Sequence, residues 1–239
     1  MINKRVIFNV LAKDVENAKE IYEVGKEQIL IGLTVKDFPS DEAAIDAVTS
    51  YKNEGIPVSV GLGAGDASVW KNVVNVSTKT IPSHVNQVFP AAGYTLGAMQ
   101  QFGAHHTIVN ALIEPSGVVG EVYISTGPIS KQLKEKVSCE LAASMLEEIG
   151  IHSVKFYPID GDKRLDEVAA MVRSAVSSGI KVFEPTGGID LNNVHSIVQT
   201  CFDNGAELVI PHLYTSLMDK QTGKTEVEKV EQLLTMVWE

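Results

Sequence analysis

Eight times along the chain an apolar run of strand length gives way to a stretch with helical periodicity, and this alternation restricts the fold more than any other feature of the sequence. VIFNVLA precedes a helix from about Val15, ILIGLTV a helix from Asp41, and VSVGLGA a helix from Ala67. The pattern continues through HVNQVFP with TLGAMQQFG, TIVNALIEP with a helix ending at EEIG, and SVKFYPI with DEVAAMVRSAVSSG. KVFEPTGGI with NVHSIVQTCFDNG, and AELVIPHL with a last helix through VEKVEQLLTMV, complete the set. Gly55, Gly103, Gly150, Gly179 and Gly205 stand where helices must stop, because a left-handed C-terminal residue is cheap only without a Cβ. Repeated strand-then-helix units build a parallel sheet. Eight such units in 239 residues predict an α/β chain forming a single-domain (β/α)8 TIM barrel over residues 1–239, for which about 250 residues is typical. A doubly wound open sheet is the competing arrangement. The segment VVGEVYISTGPISKQ, after the fifth strand, is longer than a minimal connection and predicts a small excursion.

Charge and cysteine usage remove several function classes. A net charge of -10, with no stripe of Lys and Arg, argues against a nucleic-acid partner. The N-terminal VIFNVLA is too short to span a membrane and is flanked by Lys4, Arg5, Lys13 and Asp14, so no membrane association is expected. Cys139 and Cys201 lie far apart in helical segments without metal-ligand spacing, which predicts a reduced, cytoplasmic protein. A homo-oligomer is expected, with Trp70 and Trp238 on outer helices available to pack between subunits or against the barrel.

Two strand ends carry candidate chemistry. In VKFYP, alternation puts Lys155 on the face of Tyr157, with Val154 and Phe156 on the other. If that face is the barrel interior, the amine is desolvated, its pKa falls, and it can attack a carbonyl. Taken alone, this strand reads better as a lysine snorkelling from an edge strand. In EPTGGID, Thr186, Gly187 and Gly188 leave the seventh strand and lead towards a helix near Leu191, offering backbone N–H groups to an anion. Loops after strands seven and eight form the usual phosphate site of a TIM barrel, and chemistry sits at the C-terminal ends of its strands.

The pairing of VKFYP with PTGGI one unit later resembles the class I pyruvate-dependent aldolases of 2-keto-3-deoxy-6-phosphogluconate and 4-hydroxy-2-oxoglutarate. Upstream, GLTVKDFPSDEAAIDAV is similar to the second strand and helix of that family, with its Glu-x-Thr-x-Arg pattern, and VGLGAGD to its third-strand turn. As a whole the chain is similar to the more distant branch of the superfamily assigned to glucosaminate breakdown. The resemblance implies that Lys155 forms a Schiff base with the C2 carbonyl, and that Thr186, Gly187 and Gly188 bind the substrate phosphate. Thr34 takes the place of the family threonine, Lys36 that of the arginine, and Tyr157 and His212 join the substrate-binding set. The products would be pyruvate and glyceraldehyde 3-phosphate, or glyoxylate from 4-hydroxy-2-oxoglutarate, with a small phosphorylated keto-sugar acid as partner and neither metal nor other cofactor.

The chain departs from this pattern in several places. The general acid/base glutamate falls on Gly32 and the third-strand threonine on Asp66, which is expected to cap the helix beginning at Ala67. Lys36 keeps the arginine's charge and loses its fork. Pro211-His212-Leu213 replaces the eighth-strand glycine-serine turn. To replace the missing base we look to Glu184, because Val182, Glu184 and Thr186 share a face and strands six and seven are neighbours. Glu114 is the reserve, and a structural ion pair of Glu184 with Lys155 or Lys36 is the plainer alternative. Competing functions are a metal-assisted enzyme using His105, His106 and Glu114, a phosphate-binding barrel isomerase without a Schiff base, and a non-catalytic sugar-phosphate sensor. Met99, Met145 and Met171 read as core and His195 as solvated.

Overall fold

The computed structural model describes residues 5–236, so Lys4 and Trp238 lie outside the described residues. Eight parallel strands follow one another around a closed ring, and each is succeeded by a helix. Strand β1 is interrupted at Ile7 into Arg5–Val6 and Phe8–Leu11. The others are β2 (Ile29–Thr34), β3 (Val58–Gly61), β4 (His84–Val88), β5 (Ile108–Pro115), β6 (Ser153–Phe156), β7 (Val182–Pro185) and β8 (Leu208–Val209). Closure comes from β1, whose first segment pairs with β8 (Arg5 opposite Leu208) and whose second pairs with β2 (Phe8 opposite Ile29). The (β/α)8 expectation holds, and the open doubly wound sheet is excluded.

The outer helices are α1 (Val15–Gly25), α2 (Asp41–Asn53), α3 (Trp70–Thr80), α4 (Phe89–Gln101), α5 (Cys139–Glu148), α6 (Leu165–Ser177), α7 (Val194–Asp203) and α8 (Val227–Leu234). Their starts are chemically marked: Asp14 accepts from the Asn17 N–H at 2.9 Å and Ser138 from the Leu141 N–H at 3.1 Å. Gly55, Gly103, Gly150, Gly179 and Gly205 all adopt positive φ where helices end. Two boundaries differ from expectation. Strand β4 stops at Val88 and α4 begins at Phe89, because Pro90 needs no N–H partner in a first helical turn. Strand β8 is only two residues long, and its direction continues past Pro211 through bridges from His212 to Asn9 and Thr186. The excursion after β5 forms two short antiparallel strands, Glu121–Tyr123 against the end of β5 and Val137–Ser138 beside it.

Two separate apolar layers are divided by the barrel wall. Outside it, Phe8, Ile31, Val58, Val85, Val109, Val154 and Phe183 pack against the helices. Met99 and Met171 join them fully buried, whereas Met145 is 38% exposed and so is not core. Trp70 is partly buried against this core and meets Tyr94 edge-on at 6.0 Å. Inside the barrel, Leu30, Leu208 and Ile210, with Ile7, Ile108 and Val182, form a second apolar cluster. Leu30, Ile108, Val182 and Leu208 come early in their strands, and with Ile7 and Ile210 they seal the N-terminal end. Above them the interior turns polar, where barrels of this kind ordinarily stack branched apolar residues.

Candidate active site

Strand alternation builds the polar interior. Ser59, His84, Asn86, Asn110, Ser153, Lys155 and Glu184 occupy inward positions of β3 to β7, and Asn9 and His212 complete the ring from β1 and beyond β8. At the centre lies Glu184, with no exposed surface. One carboxylate oxygen accepts from His84 Nε2 at 2.9 Å and Ser153 Oγ at 2.6 Å. The other accepts from Asn110 Nδ2 at 2.8 Å and His212 Nε2 at 2.9 Å. Four donors fill a carboxylate's acceptor sites. Burial alone would raise the Glu184 pKa, but His84 and His212 outweigh it and hold the carboxyl well below the ordinary range.

The donors are themselves oriented. Ser59 Oγ accepts from Asn9 Nδ2 at 3.0 Å and Asn86 Nδ2 at 2.8 Å, so its single proton goes to His84 Nδ1 at 2.8 Å. That leaves Nε2 of His84 as the N–H facing Glu184. Asn110 spends its second amide proton on Asn86 Oδ1 at 2.9 Å. The same Asn86 oxygen accepts from Lys155 Nζ at 3.0 Å, while His212 Nδ1 lies 3.3 Å from that nitrogen.

Lys155 stands on the floor of a cavity of about 430 Å³, lined also by Tyr157, Thr186, Gly187, Gly188, His212, Tyr214 and Ser216. Burial pulls its amine down from 10.5 to about 8, and the negative Glu184 opposes a further fall. A depressed lysine pKa lowers the stability of the folded chain. Below about pH 8 the folded state bears the full cost of the buried ammonium; the cost fades as pH rises from about 8 towards 10.5 and is absent above. Lys155→Met should therefore stabilise the fold near neutral pH by up to about 3 kcal/mol, read as a melting temperature higher by several degrees. Its advantage over the wild type should shrink near pH 10, and a gap that widens there would contradict the assigned charge state.

Among the expected site residues, Lys155, Tyr157, Thr186, Gly187, Gly188 and His212 converge on this cavity. Thr34 lines a smaller recess next to it, shared with Lys155 and Tyr214, and donates its hydroxyl to Asp37. Three expectations need correction. Lys36 is exposed and lines neither space, its stem lying over Gly63, where a Cβ would come within 2.6 Å of Lys36 Cε. Glu184 does not reach the cavity, and its oxygens are occupied. The start of α7 is not open to an anion as supposed, because Asp190 already accepts from the N–H groups of Asn192 at 2.8 Å and Asn193 at 3.2 Å. Gly187 and Gly188 have a further structural reason: a Cβ at Gly188 would lie 2.7 Å from the Gly161 nitrogen, and one at Gly187 3.2 Å from Pro158 Cα.

Other readings resolve directly. Asp66 caps as expected, accepting from the Ser68 N–H at 3.0 Å. His105 and His106 are exposed just before β5, whereas Glu114 lies near its far end, so the three do not meet. Among the described residues no group of three or more His, Cys, Asp or Glu is placed to hold a metal ion. Gly32 has a plain steric basis, since a Cβ there would lie 2.8 Å from the Tyr214 hydroxyl and 2.9 Å from Asn9 Oδ1. Tyr214 was missed by sequence reasoning, as were Asn9, Ser59, His84, Asn86, Asn110 and Ser153. Burial, then the negative Glu184, raises the Tyr214 phenol above its ordinary pKa.

Comparison with known proteins adds what geometry alone lacks. Residues 2–221 match the family model described as KDGP aldolase. A 2-dehydro-3-deoxy-phosphogluconate aldolase of Salmonella typhimurium (strain 14028s / SGSC 2262) is 42% identical over 235 residues, covering 98% of this chain and 95% of the relative. Among solved structures, KGPDC from Streptococcus mutans superposes with a TM-score of 0.58 at 11% identity over 97% of this chain and 96% of its own. Thiamine phosphate pyrophosphorylase from Pyrococcus furiosus does so at 0.57 and 14%, over 97% and 95%. At such identities these two report on the fold alone.

Proposed function

The chain belongs to the KDGP aldolase family, and from that premise we propose that it cleaves 2-dehydro-3-deoxy-6-phosphogluconate to pyruvate and glyceraldehyde 3-phosphate through a Schiff base on Lys155. The observation that carries the reading is the position of Nζ: at the cavity floor, with its pKa brought to about 8, and held by Asn86 and His212. Two protein acceptors fix two of its N–H bonds. The remaining tetrahedral direction of an amine so held is free for a carbonyl carbon. Attack at C2 and loss of water give an iminium ion, which takes up the electron pair when the C3–C4 bond breaks and the C4 hydroxyl loses its proton. Protonation of the resulting enamine and hydrolysis release pyruvate and restore the amine.

For the phosphate we assign the end of the cavity formed by Gly187, Gly188 and Ser216. The carbonyls of Thr186, Gly187 and Gly188 are engaged by the Ile159 N–H, the Gly161 N–H and the Asn193 amide at 2.9–3.0 Å, which turns the loop's acceptors away from an incoming anion. Ser216, which also lines the cavity, carries a buried hydroxyl with no hydrogen-bond partner among the described residues. Gly188→Val is a poor probe of this assignment, because the new side chain would strike the backbone of residues 160–161. Substrate comparison is cleaner. The wild-type enzyme should form pyruvate from the phosphorylated acid with a kcat/KM at least about tenfold above that for its dephosphorylated analogue, mainly through KM. Equal values would remove the phosphate assignment, and no pyruvate from either would remove the proposed reaction.

The same reading extends to context. Among the described residues no helix is long and apolar enough to cross a membrane. A cytoplasmic location is supported by two buried cysteines that form no disulfide. Association of identical chains is supported by the apolar side chains that the region of α4 and α5 exposes, Tyr94, Phe102 and Leu141 among them.

A further inference from the structure

We propose that His212 is the proton carrier of imine formation, taking the two protons that Lys155 must lose and delivering them, one after the other, to the oxygen that leaves as water. The inference rests on the Schiff-base reading and adds to it a chemical role for a residue that the sequence reading placed only among substrate contacts.

Proton accounting poses the problem. An ammonium and a ketone become an iminium ion and water with no net gain or loss of protons, but two protons must travel from nitrogen to oxygen. Glu184 cannot carry them, since all four of its acceptor positions are taken and it does not border the cavity. His212 borders the cavity and joins the two charged groups: Nδ1 lies 3.3 Å from Lys155 Nζ, and Nε2 lies 2.9 Å from Glu184. Because the anionic Glu184 requires a donor, Nε2 bears the proton. The Nδ1 lone pair then faces Nζ.

The steps follow. Nδ1 takes a proton from the ammonium, and the resulting imidazolium is paired with Glu184. The freed amine turns about its Cε–Nζ bond so that the lone pair leaves Nδ1–H and points into the cavity; it attacks C2, the N–C bond forms, and the C=O π pair moves to oxygen. The imidazolium protonates that oxygen and becomes neutral again. It next takes a proton from the carbinolamine nitrogen and gives it to the hydroxyl, the C–O bond breaks, water departs, and the nitrogen lone pair closes the C=N bond. The total charge is +1 at both ends. Asn86 Oδ1 retains the third hydrogen-bond direction of Nζ throughout, held in place by Asn110. The buried Glu184 thus serves as a positioning residue: burial pulls the His212 imidazole pKa down to about 3, and Glu184 fixes the ring tautomer and offsets part of that cost, so the imidazolium is only transient.

The test measures oxygen exchange from pyruvate labelled with ¹⁸O at C2, which requires carbinolamine dehydration and no C–C cleavage. His212→Asn keeps an acceptor beside Nζ, and His212→Gln keeps a donor towards Glu184; neither can carry a proton. Both are expected to slow enzymatic oxygen exchange by about 10²–10⁴-fold, and imidazole added to His212→Ala should restore part of it. Wild-type rates in the Asn and Gln variants would overturn the role of His212 and leave the Schiff base standing. Absence of enzymatic exchange in the wild type would instead remove the Schiff base itself. Should the variants not fold, ¹⁵N spectra of the histidines in the wild-type protein decide the matter: the proposal requires His212 as the Nε2–H tautomer, and a resting Nδ1–H tautomer contradicts it.

Discussion

Lys155→Met is expected to give a folded protein that neither cleaves 2-dehydro-3-deoxy-6-phosphogluconate nor exchanges the carbonyl oxygen of pyruvate, with kcat lower by at least about 10⁴-fold. The size follows from the role. Among the described residues no other lysine or arginine lines the cavity that holds Nζ, and without an amine there is no iminium ion to accept the electrons of the C3–C4 bond. The fold should survive, because methionine fills a similar volume and carries no charge into the barrel. Asn86 Oδ1 keeps the hydrogen bond from Asn110 after the lysine is gone. Steady-state pyruvate release, measured beside a melting curve, separates the two effects. Activity within tenfold of wild type would place the chemistry on another residue.

Glu184→Gln should have the second largest effect, although Glu184 touches no substrate in this account. An amide has one acceptor oxygen where the carboxylate has two, so its NH₂ must face either His84 and Ser153 or Asn110 and His212. In the second case His212 switches tautomer, and its Nδ1–H then occupies the lone pair of the Lys155 amine or opposes the ammonium. In that orientation Asn110 Nδ2 still meets a donor, and in the first case the His84 N–H does, while Ser153 can accept and turn its proton to the Val182 carbonyl; the fold loses stability in both. Either way kcat should fall by about 10²–10⁴-fold. A pH profile distinguishes this positioning role from simple damage. Because the charge of Glu184 raises the Lys155 pKa, its removal should move the limb of the residual pH profile that reports Lys155 to lower pH, whereas an unshifted limb would deny the electrostatic link.

How much of this was legible in the sequence depends on the range of the interactions. The barrel could be read because each βα unit announces itself locally, and its eight repeats set the closure. Lys155 and the glycines at 187 and 188 could be read because a charge or a turn inside an apolar strand is locally anomalous. The Glu184 network could not. Ser59, Asn86 and Asn110 look like incidental polar residues in VSV, HVNQV and IVNAL, and only strand register brings them together: Ser59 opposite His84, Asn86 opposite Asn110, Asn110 opposite Ser153, and Glu184 opposite Lys155. The available signal was parity. Counted from the inward Lys155 in steps of two and aligned across the ring, the same face gathers two serines, two histidines, three asparagines and a glutamate. Glu184 was correctly placed inward but wrongly given the base's task, because alternation says which way a side chain points and not whether its acceptors are filled. Lys36 failed for a related reason: it leaves the strand in a turn after Thr34, where period-two alternation no longer applies.

Tyr214 shows the same limit from the other side. The sequence marks Gly32 as an absent side chain, but not what occupies the space. The structure fills it with a hydroxyl from beyond β8 and an amide from β1, which come together only when the ring closes.

The central claim is a covalent one, so its most direct test is the mass of the trapped intermediate. Wild-type protein incubated with pyruvate and borohydride, then digested and mapped, should carry one reduced pyruvyl group, on the peptide that contains Lys155, and lose its aldolase activity in proportion to labelling. A protein that stays unlabelled and fully active, or that carries the label on Lys181 or Lys36 while Lys155 remains unmodified, would contradict the account.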